Sequence, residues 1–240
     1  MHRLRIFAGP NGSGKSTLYK QLEGQFNLGH YLNPDDLHQN VTKDLQLDLT
    51  SFGIKPNSTE WSAFWKKHGL CDKAPRLRYS RIRNNTLFFK EKPKSYEAAI
   101  LADFLRHQIL KTGQTFSFET VFSHPSKLEF MTTAIEAGYK CYLYFAAVSS
   151  PEISVERVAQ RKQQGGHGVP ENKIRKRYTL TLENLLPAIH LCYRTYLFDN
   201  SQTMKLVAEV DPRGFLEIKG DSLPVWVEKY TLDKIKQNKD

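Results

Sequence analysis

The feature that most constrains the fold is a glycine-rich stretch near the beginning of the sequence. An apolar run at 4–8 precedes it, and residues 18–22 are typical of the first turns of a helix. The stretch has the spacing G-x-x-x-x-G-K-S between a strand and a helix, which predicts a phosphate-binding loop. We therefore expect the chain to bind a nucleoside triphosphate through these residues: Gly9, Pro10, Asn11, Gly12, Ser13, Gly14, Lys15, Ser16 and Thr17.

Each part of the predicted loop has a physical role. Glycines let the backbone turn so that successive N–H groups point at phosphate oxygens, and the helix N-terminus adds partial positive charge. Lys15 is expected to reach the β- and γ-phosphates, and the Ser16 hydroxyl is expected to hold Mg²⁺. The nucleotide is predicted to be ATP, with GTP as the alternative.

The overall composition limits the class of protein. The chain has 240 residues and a formal charge of +10, which suits an anionic partner but does not by itself indicate nucleic acid. No run approaches the roughly 20 apolar residues of a membrane span, so no membrane partner is expected. The three cysteines match no metal spacing, and the first strand follows Met1 directly. We expect a reduced, cytoplasmic setting without a signal peptide.

Strand and helix patterns alternate along the chain. Strands are predicted near 30–32, 115–118, 140–148 and 196–198, with a helix over 95–111 and a capping-box helix start at 126–129. This alternation predicts an α/β fold with a mostly parallel sheet and helices on both faces. We expect one P-loop kinase domain over 1–240, ending in a hairpin and extension at 203–240.

The segment 46–94 differs from the rest in composition. It carries eleven Lys or Arg against four acids, a difference of +7, and aromatic residues are interleaved with the cations. Its periodicity is poor, which predicts an irregular insertion with one helix near 58–68. The insertion is expected either to be a surface elaboration packed on its own aromatics or to form a groove for an anionic acceptor.

Two acidic residues follow predicted strands and are candidates for chemistry. In a mostly parallel sheet, ligands gather at the C-terminal strand edge. Asp35 is the candidate that takes the proton from an acceptor hydroxyl, with its neighbour Asp36 as the alternative; the non-catalytic alternative is a helix-capping aspartate. Glu119 is the candidate that binds Mg²⁺ through water or holds the substrate, unless it is an ordinary surface residue.

Cationic side chains cluster on either side of a glycine-rich segment at 165–168. Arg157 and Arg161 are four residues apart on one predicted helix, and Arg175 and Arg177 lie on the next. This arrangement predicts a lid that places at least one arginine over the transferring phosphate, with Arg161 favoured over Arg157. His167 is interpreted as a hinge residue.

Taken in order, these motifs resemble the zeta-toxin-like ATPases. The matching elements are A-G-P-N-G-S-G-K-S-T, N-P-D, S-F-E-T, S-P-E-x-S-V-E-R-V-x-x-R, G-G-H-x-V-P-E, I-x-x-R-Y and F-D-N-S. The best-understood members are bacterial toxins that use ATP to phosphorylate UDP-N-acetylglucosamine at its 3′-hydroxyl, and an antitoxin inhibits them. The resemblance implies that Lys15 and Ser16 bind ATP and Mg²⁺, that Asp35 activates the hydroxyl, and that Glu119 binds substrate. It also implies lid roles for Arg161 and an arginine within 175–177.

The acceptor remains open at this point. The insertion at 46–94 is longer than expected for small members of that family, so the acceptor need not be the nucleotide sugar. The prediction is an ATP- and Mg²⁺-dependent kinase for a hydroxyl on a small anionic acceptor. The alternatives are a nucleic-acid or nucleoside kinase, and a nucleotide-gated binding module that transfers no phosphate.

Overall fold

The computed structural model describes residues 2–166, 168–220 and 222–237. The strands, numbered along the chain, are β1 (Arg3–Ala8), β2 (His30–Leu32), β3 (Gln46–Asp48), β4 (Arg81–Arg83), β5 (Thr86–Phe88), β6 (Phe116–Thr120), β7 (Lys140–Ala147), β8 (Arg194–Asp199), β9 (Lys205–Val210) and β10 (Leu216–Ile218). The helices are α1 (Lys15–Leu22), α2 (Pro34–Asp44), α3 (Ser58–Lys67), α4 (Ser95–Thr112), α5 (Ser126–Glu136), α6 (Pro151–Gln163), α7 (Glu171–Glu183), α8 (Leu185–Leu191), α9 (Val225–Val227) and α10 (Asp233–Gln237).

The chain divides into two compact units. The first unit comprises residues 1–28 and 117–240, and the second comprises residues 29–116. The second unit therefore contains the segment 46–94 together with flanking residues on both sides. Among the described helices, none combines the length and the hydropathy needed to cross a membrane.

The first unit is built on a sheet with the strand order β10-β9-β8-β7-β1-β6. β7 pairs in parallel with both β1 and β8, whereas β9 and β10 run antiparallel to their neighbours. β1 is buried over its last five residues, four of which are apolar, as burial on both faces of the sheet requires; the fifth is Arg5, which is also buried. The predicted α/β fold with a mostly parallel sheet is confirmed.

The second unit has a small sheet of its own, in the order β3-β5-β4. Asn84 and Asn85 join β4 to β5 with φ angles of 46° and 58°. Positive φ at both central residues is typical of a type I′ hairpin turn, which favours asparagine and glycine. Nearby, Trp61 of α3 is fully buried and its ring packs edge-on against that of Phe104 of α4, with centroids 4.9 Å apart.

Two local predictions were wrong in detail. The segment 46–94 was expected to be irregular apart from one helix, yet it forms β3, β4 and β5 as well as α3. The predicted capping box at 126–129 is absent because α5 begins at Ser126, with Pro125 as its N-cap and no side-chain cap. The Ser126 backbone N–H donates to His124 Nδ1 at 3.2 Å instead.

Candidate nucleotide-binding site

The residues 9–17 form a tight loop between β1 and α1. Gly9 has a φ of 148°, and a Cβ atom there would lie 1.9 Å from the carbonyl oxygen of Ala146. Gly14 has a φ of 91°, and a Cβ atom there would lie 2.4 Å from Asn200 Nδ2. Both positions therefore require glycine for conformational and steric reasons.

Helix α1 begins in a way that leaves its N-terminus open to an anion. Gly14 is its N-cap, no side chain caps it, and its first turn contains no acidic residue. The first N–H groups of a helix lack partners within the helix and carry partial positive charge. The end of the loop therefore presents backbone N–H groups and partial positive charge where the motif places phosphate oxygens.

Of two unpaired buried polar atoms among the described loop residues, the Ser13 hydroxyl can donate to an anion, whereas Asn11 Oδ1 can only accept. Asn11 Oδ1 and Ser13 Oγ are buried and have no hydrogen-bond partner among the described residues. Buried polar groups are almost always paired in native proteins, so an unpaired one requires an explanation. A bound ligand with oxygen acceptors would give the Ser13 hydroxyl its partner.

Lys15, Ser16 and Glu119 converge at the start of α1. The Lys15 side chain is only 6% exposed, its Nζ donates to the carbonyl oxygen of Pro10 at 2.9 Å, and the same atom lies 4.0 Å from Glu119 Oε1. Ser16 Oγ donates to Glu119 Oε2 at 2.7 Å. Glu119 lies in β6, which is next to β1 in the sheet, and β1 leads into the loop.

These side chains fit a magnesium ion. Mg²⁺ prefers hard oxygen ligands and is usually held by one or two protein groups together with substrate phosphates and water. The Ser16 hydroxyl and the Glu119 carboxylate are such a pair, in contact with each other at the mouth of the loop. The described ranges contain no cluster of three or more His, Cys, Asp or Glu side chains suited to a metal, so a magnesium ion here would also need ligands from the nucleotide and water.

The end of β8 supports the loop from behind. Asn200 Nδ2 donates to the carbonyl oxygen of Ser13 at 3.0 Å, and the Asn200 backbone N–H donates to Ala147 O at 2.8 Å. Asp199 accepts hydrogen bonds from the Ser201 hydroxyl and from Trp226 Nε1, at 3.0 and 2.8 Å. Sequence analysis missed Asn200 as a loop anchor, although the motif F-D-N-S at the end of a predicted strand was the available signal.

Arg157 of α6 also contacts the loop. Its guanidinium donates to the Gly12 carbonyl oxygen at 3.4 Å and to the Ser201 carbonyl oxygen at 3.2 Å. Arg157 therefore ties α6 to the phosphate loop and to the end of β8. The Arg157 guanidinium is thus a cation beside the loop, and hydrogen bonds to two backbone carbonyl oxygens hold it there.

The other predicted lid arginines have different surroundings. Arg161 is exposed in the last turn of α6, and its carbonyl oxygen accepts a hydrogen bond from the Gly166 N–H at 2.9 Å. Arg175 of α7 pairs with Glu152 of α6 and with Glu171, and its hydrogen bond to Glu152 lowers the pKa of that carboxyl to about 2. Arg175 thus links α6 to α7. Arg177 is half-buried on α7, and His167 lies outside the described residues.

Asp35 belongs to the second unit, in the first turn of α2. The N-cap of α2 is Asn33, whose Oδ1 accepts from the Asp35 backbone N–H at 2.9 Å. The Asp35 side chain is exposed, and its carboxylate has no hydrogen-bond partner within the described ranges. Asn33, and not Asp35, therefore caps α2, so helix capping does not explain the aspartate at position 35.

Comparison with known proteins identifies the family. The profile of the AAA_33 family, described as an AAA domain, matches residues 4–179, which is well over half of the chain. An uncharacterized protein of Haemophilus influenzae is 31% identical over 74 residues, which cover 31% of this chain and 53% of that protein.

The solved structures that are similar in fold include two of AvrRxo1-ORF1 with AvrRxo1-ORF2. One is a crystal structure of AvrRxo1-ORF1:-ORF2 with ATP, which has a TM-score of 0.58 at 16% identity and covers 91% of this chain and 61% of its own. The other is the AvrRxo1-ORF1:AvrRxo1-ORF2 complex with sulphate ions, with a TM-score of 0.57 at 17% identity, covering 92% and 62%. The chain thus spans about three fifths of the length of these structures and about half of the Haemophilus protein.

At these identities the solved structures support the fold alone, whereas the profile match extends over the loop, α6 and most of α7. The chain belongs to the AAA_33 family of AAA domains and is a nucleotide-binding domain with a P-loop kinase-like fold.

Proposed function

We propose that the chain is an ATP- and Mg²⁺-dependent phosphotransferase that acts on a hydroxyl group of a small, anionic acceptor. The observation that carries this proposal is the convergence of Lys15, Ser16 and Glu119 at the open N-terminus of α1. A loop that only bound a nucleotide would need the ammonium and the N–H groups. The carboxylate on the Ser16 hydroxyl adds the second oxygen ligand that phosphoryl transfer uses for its metal.

The loop residues have distinct roles in this proposal. The backbone N–H groups of the loop and the Lys15 ammonium bind the β- and γ-phosphates of ATP. Ser16 and Glu119 hold Mg²⁺, which neutralises negative charge on the phosphates. The similar AvrRxo1-ORF1:-ORF2 structure was solved with ATP, which supports ATP as the donor.

Asp35 is proposed to accept the proton of the acceptor hydroxyl. The hydroxyl oxygen then bonds to the γ-phosphorus, and the bond between that phosphorus and the β–γ bridging oxygen breaks to release ADP. An exposed carboxylate without a hydrogen-bond partner, which is not needed to cap its own helix, supports this role. The structure offers no such free carboxylate at Asp199, which is fully engaged by its neighbours.

Arg161 is proposed as the arginine that stabilises the charge of the transferring group. It is exposed in the last turn of α6, next to the glycine-rich segment, and its guanidinium is the kind of group that stabilises charge on a transferring phosphate. Arg157 is proposed to assist by fixing the loop, and Arg177 is a second candidate for contact with substrate. Arg175 contributes by joining the two helices that carry these residues.

The acceptor class follows from charge and resemblance. The formal charge of +10 favours an anionic acceptor, and UDP-N-acetylglucosamine is the specific candidate implied by the zeta-toxin-like motifs. In that case an antitoxin protein would be the natural inhibitory partner.

The test is to incubate the chain with labelled ATP, Mg²⁺ and a metabolite extract, and to identify by mass which compound gains a phosphate. UDP-N-acetylglucosamine is tested alone in parallel. We expect Lys15→Ala to abolish transfer, and Asp35→Asn to lower it by about 100-fold or more, in the range of a lost general base.

Asp36→Asn is the matched control, because Asp36 is the next residue in the same helix turn and is also exposed. It should retain activity close to that of the wild type. The base assignment would be overturned if Asp35→Asn and Asp36→Asn were equally active. Hydrolysis of ATP with no phosphorylated product in any extract would instead support the nucleotide-gated binding module.

A further inference from the structure

The small sheet of the second unit presents an exposed face with a regular pattern. Residues paired across an antiparallel sheet point to the same side. One row pairs Gln46, Phe88 and Arg81 across β3, β5 and β4, and the next outward row pairs Asp48, Thr86 and Arg83. We call the side carrying these two rows the outer face.

The row between them points the other way and is apolar. Leu47, Leu87 and Ile82 are paired across the three strands, and Leu87 is fully buried. The sheet therefore fixes which side faces solvent. Phe88 lies on the solvent side with 37% of its surface exposed, whereas the preceding residue, Leu87, lies on the buried side.

A second exposed ring lies just beyond the hydrogen-bonded strands. Tyr79 ends a 3-10 helix (Pro75–Tyr79) that leads into β4, and Lys90 follows β5 by two residues. Lys90 Nζ lies 5.2 Å from the centre of the Tyr79 ring, and the Arg78 guanidinium lies 5.8 Å from it. Tyr79 is 50% exposed. The second unit therefore carries two exposed aromatic rings in and beside this sheet: Phe88, whose cross-strand partner is Arg81, and Tyr79, which lies beside Lys90 and Arg78.

The cations of this face are free of acidic partners. Arg81, Arg83 and Lys90 form no ion pair with a carboxylate within the described part of the chain. The nearby Glu91 is paired with Arg76 at 3.2 Å, and Asp48 accepts a hydrogen bond from the Thr50 N–H at 2.8 Å. The outer face therefore carries a net positive charge within a segment whose own charge is +7.

We propose that the outer face, together with Tyr79 and Lys90 beside it, binds single-stranded nucleic acid, with Phe88 and Tyr79 stacking on bases and Arg81, Arg83 and Lys90 contacting phosphates. Exposed aromatic rings beside cations on a sheet face match the two components of such a ligand, since every base has a π-face and every linkage an anionic charge. An acidic protein would satisfy the cations, but only a nucleic acid supplies a planar ring with each anionic charge along its chain. This inference does not depend on the proposed phosphotransfer, because none of these residues belongs to the phosphate loop.

The test measures binding of a fluorescent single-stranded RNA of about 12 nucleotides to the full chain by anisotropy, within the range of site sizes for such surfaces. The same-length single-stranded DNA, the duplex and an abasic strand are measured in parallel. We expect both single strands to bind and the abasic strand to bind about tenfold more weakly. Phe88→Ala should weaken RNA binding about tenfold, and Phe88→Leu should weaken it similarly because leucine does not stack.

Tyr79→Phe should retain binding because the ring is kept. Arg81→Gln should weaken binding and reduce the slope of log affinity against log salt by about 0.7, the value for one phosphate contact on a single strand. The matched control is Phe215→Ala in the first unit. Phe215 is 65% exposed under a guanidinium, Arg213, that is already paired with Asp211, so its loss should leave binding unchanged.

Equal affinity for the abasic strand would overturn the proposal by showing that the bases are not contacted. Absence of measurable RNA binding, or binding that Phe88→Ala and Phe215→Ala reduce equally, would also overturn it. Binding of duplex as tightly as single strands would show a purely electrostatic surface and would reject the stacking role. Loss of RNA binding with phosphotransfer intact would separate this inference from the proposed function.

Discussion

The phosphate loop of the first unit and the small sheet of the second unit are organised in opposite ways. The loop is nine consecutive residues whose shape is set by positive φ angles and by contacts at backbone atoms, such as Asn200 to Ser13 O. The sheet joins strands that begin at Gln46 and end at Phe88, so it depends on pairing between distant residues. Local geometry can be detected in a motif, whereas long-range pairing has to be inferred from weak alternation.

A substitution in the loop should strongly weaken nucleotide binding, because the loop is closely packed and an added atom meets neighbouring atoms. A change in the sheet should act mainly on the stability of the second unit.

The largest effect is expected for Gly9→Ala. The new methyl group would meet Ala146 O at 1.9 Å, and alanine is strained at a φ of 148°, so the loop must shift. Overpacking and left-handed strain each cost on the order of 1–3 kcal/mol, so we expect a loss of about 3 kcal/mol or more and no detectable ATP binding. Calorimetry and thermal unfolding measure both effects.

Gly24→Ala is the control for the strain alone. Gly24 has a φ of 84° but nothing lies within 4 Å of an added Cβ atom. The Gly24→Ala variant should lose only about 1 kcal/mol of unfolding free energy and should bind ATP as the wild type does. If the two variants behaved alike, the close approach of Gly9 to Ala146 would not be what fixes the loop.

An intermediate effect is expected for Asn85→Val in the sheet of the second unit. Valine is strongly disfavoured at a φ of 58°, and the change also removes the hydrogen bonds from Asn85 Nδ2 to Ile54 O and to Thr50 Oγ1, at 2.8 and 3.2 Å. We expect a loss of about 2 kcal/mol, measured as faster hydrogen exchange in β5.

ATP binding should not change in this variant. Asn84→Gly is the matched control, because glycine suits the same turn and should be neutral or slightly stabilising. Impaired ATP binding in Asn85→Val would show that the phosphate loop depends on the small sheet of the second unit.

The smallest effect is expected for Arg175→Gln, which removes the exposed ion pair between α6 and α7. Arg175 lowers the pKa of Glu152 to about 2 from an ordinary value of 4.5, so the pair stabilises the fold above the unfolded pKa. The variant should melt below the wild type, and the difference in melting temperature should be largest near neutral pH. It should shrink as the pH falls from about 4.5 towards 2, as the Glu152 carboxylate becomes protonated. A difference that grew on acidification would contradict this linkage.

Sequence analysis predicted the first unit well for physical reasons. β1, the loop and α1 are adjacent in the chain, and β7 is apolar enough to be identified as a central strand. The predicted strand at 30–32 and the helix near 58–68 are also present, as β2 and α3. These elements are encoded by residues that lie next to one another.

The features that sequence analysis missed depend on pairing between distant residues, or on which of several nearby polar residues caps a helix. β4 and β5 are three residues each, and their signal was the pair Asn84-Asn85 between alternating residues. Asn33, rather than Asp35, caps α2, and a capping box forms at Asn57 and Glu60, where none was predicted. The contact between Ser16 and Glu119 joins residues 103 positions apart, so only the strand order could suggest it.

The most direct test of the account is a calorimetric titration of ATP with Mg²⁺ into the wild type, Lys15→Ala and Lys20→Ala. Lys20 is an exposed residue of α1 and serves as the matched control for loss of one positive charge. We predict that the wild type and Lys20→Ala bind alike and that Lys15→Ala binds about 100-fold more weakly, as expected for loss of a charge-assisted contact to the phosphates. Equal binding by Lys15→Ala and the wild type would contradict the central claim that the loop at 9–17 binds the triphosphate.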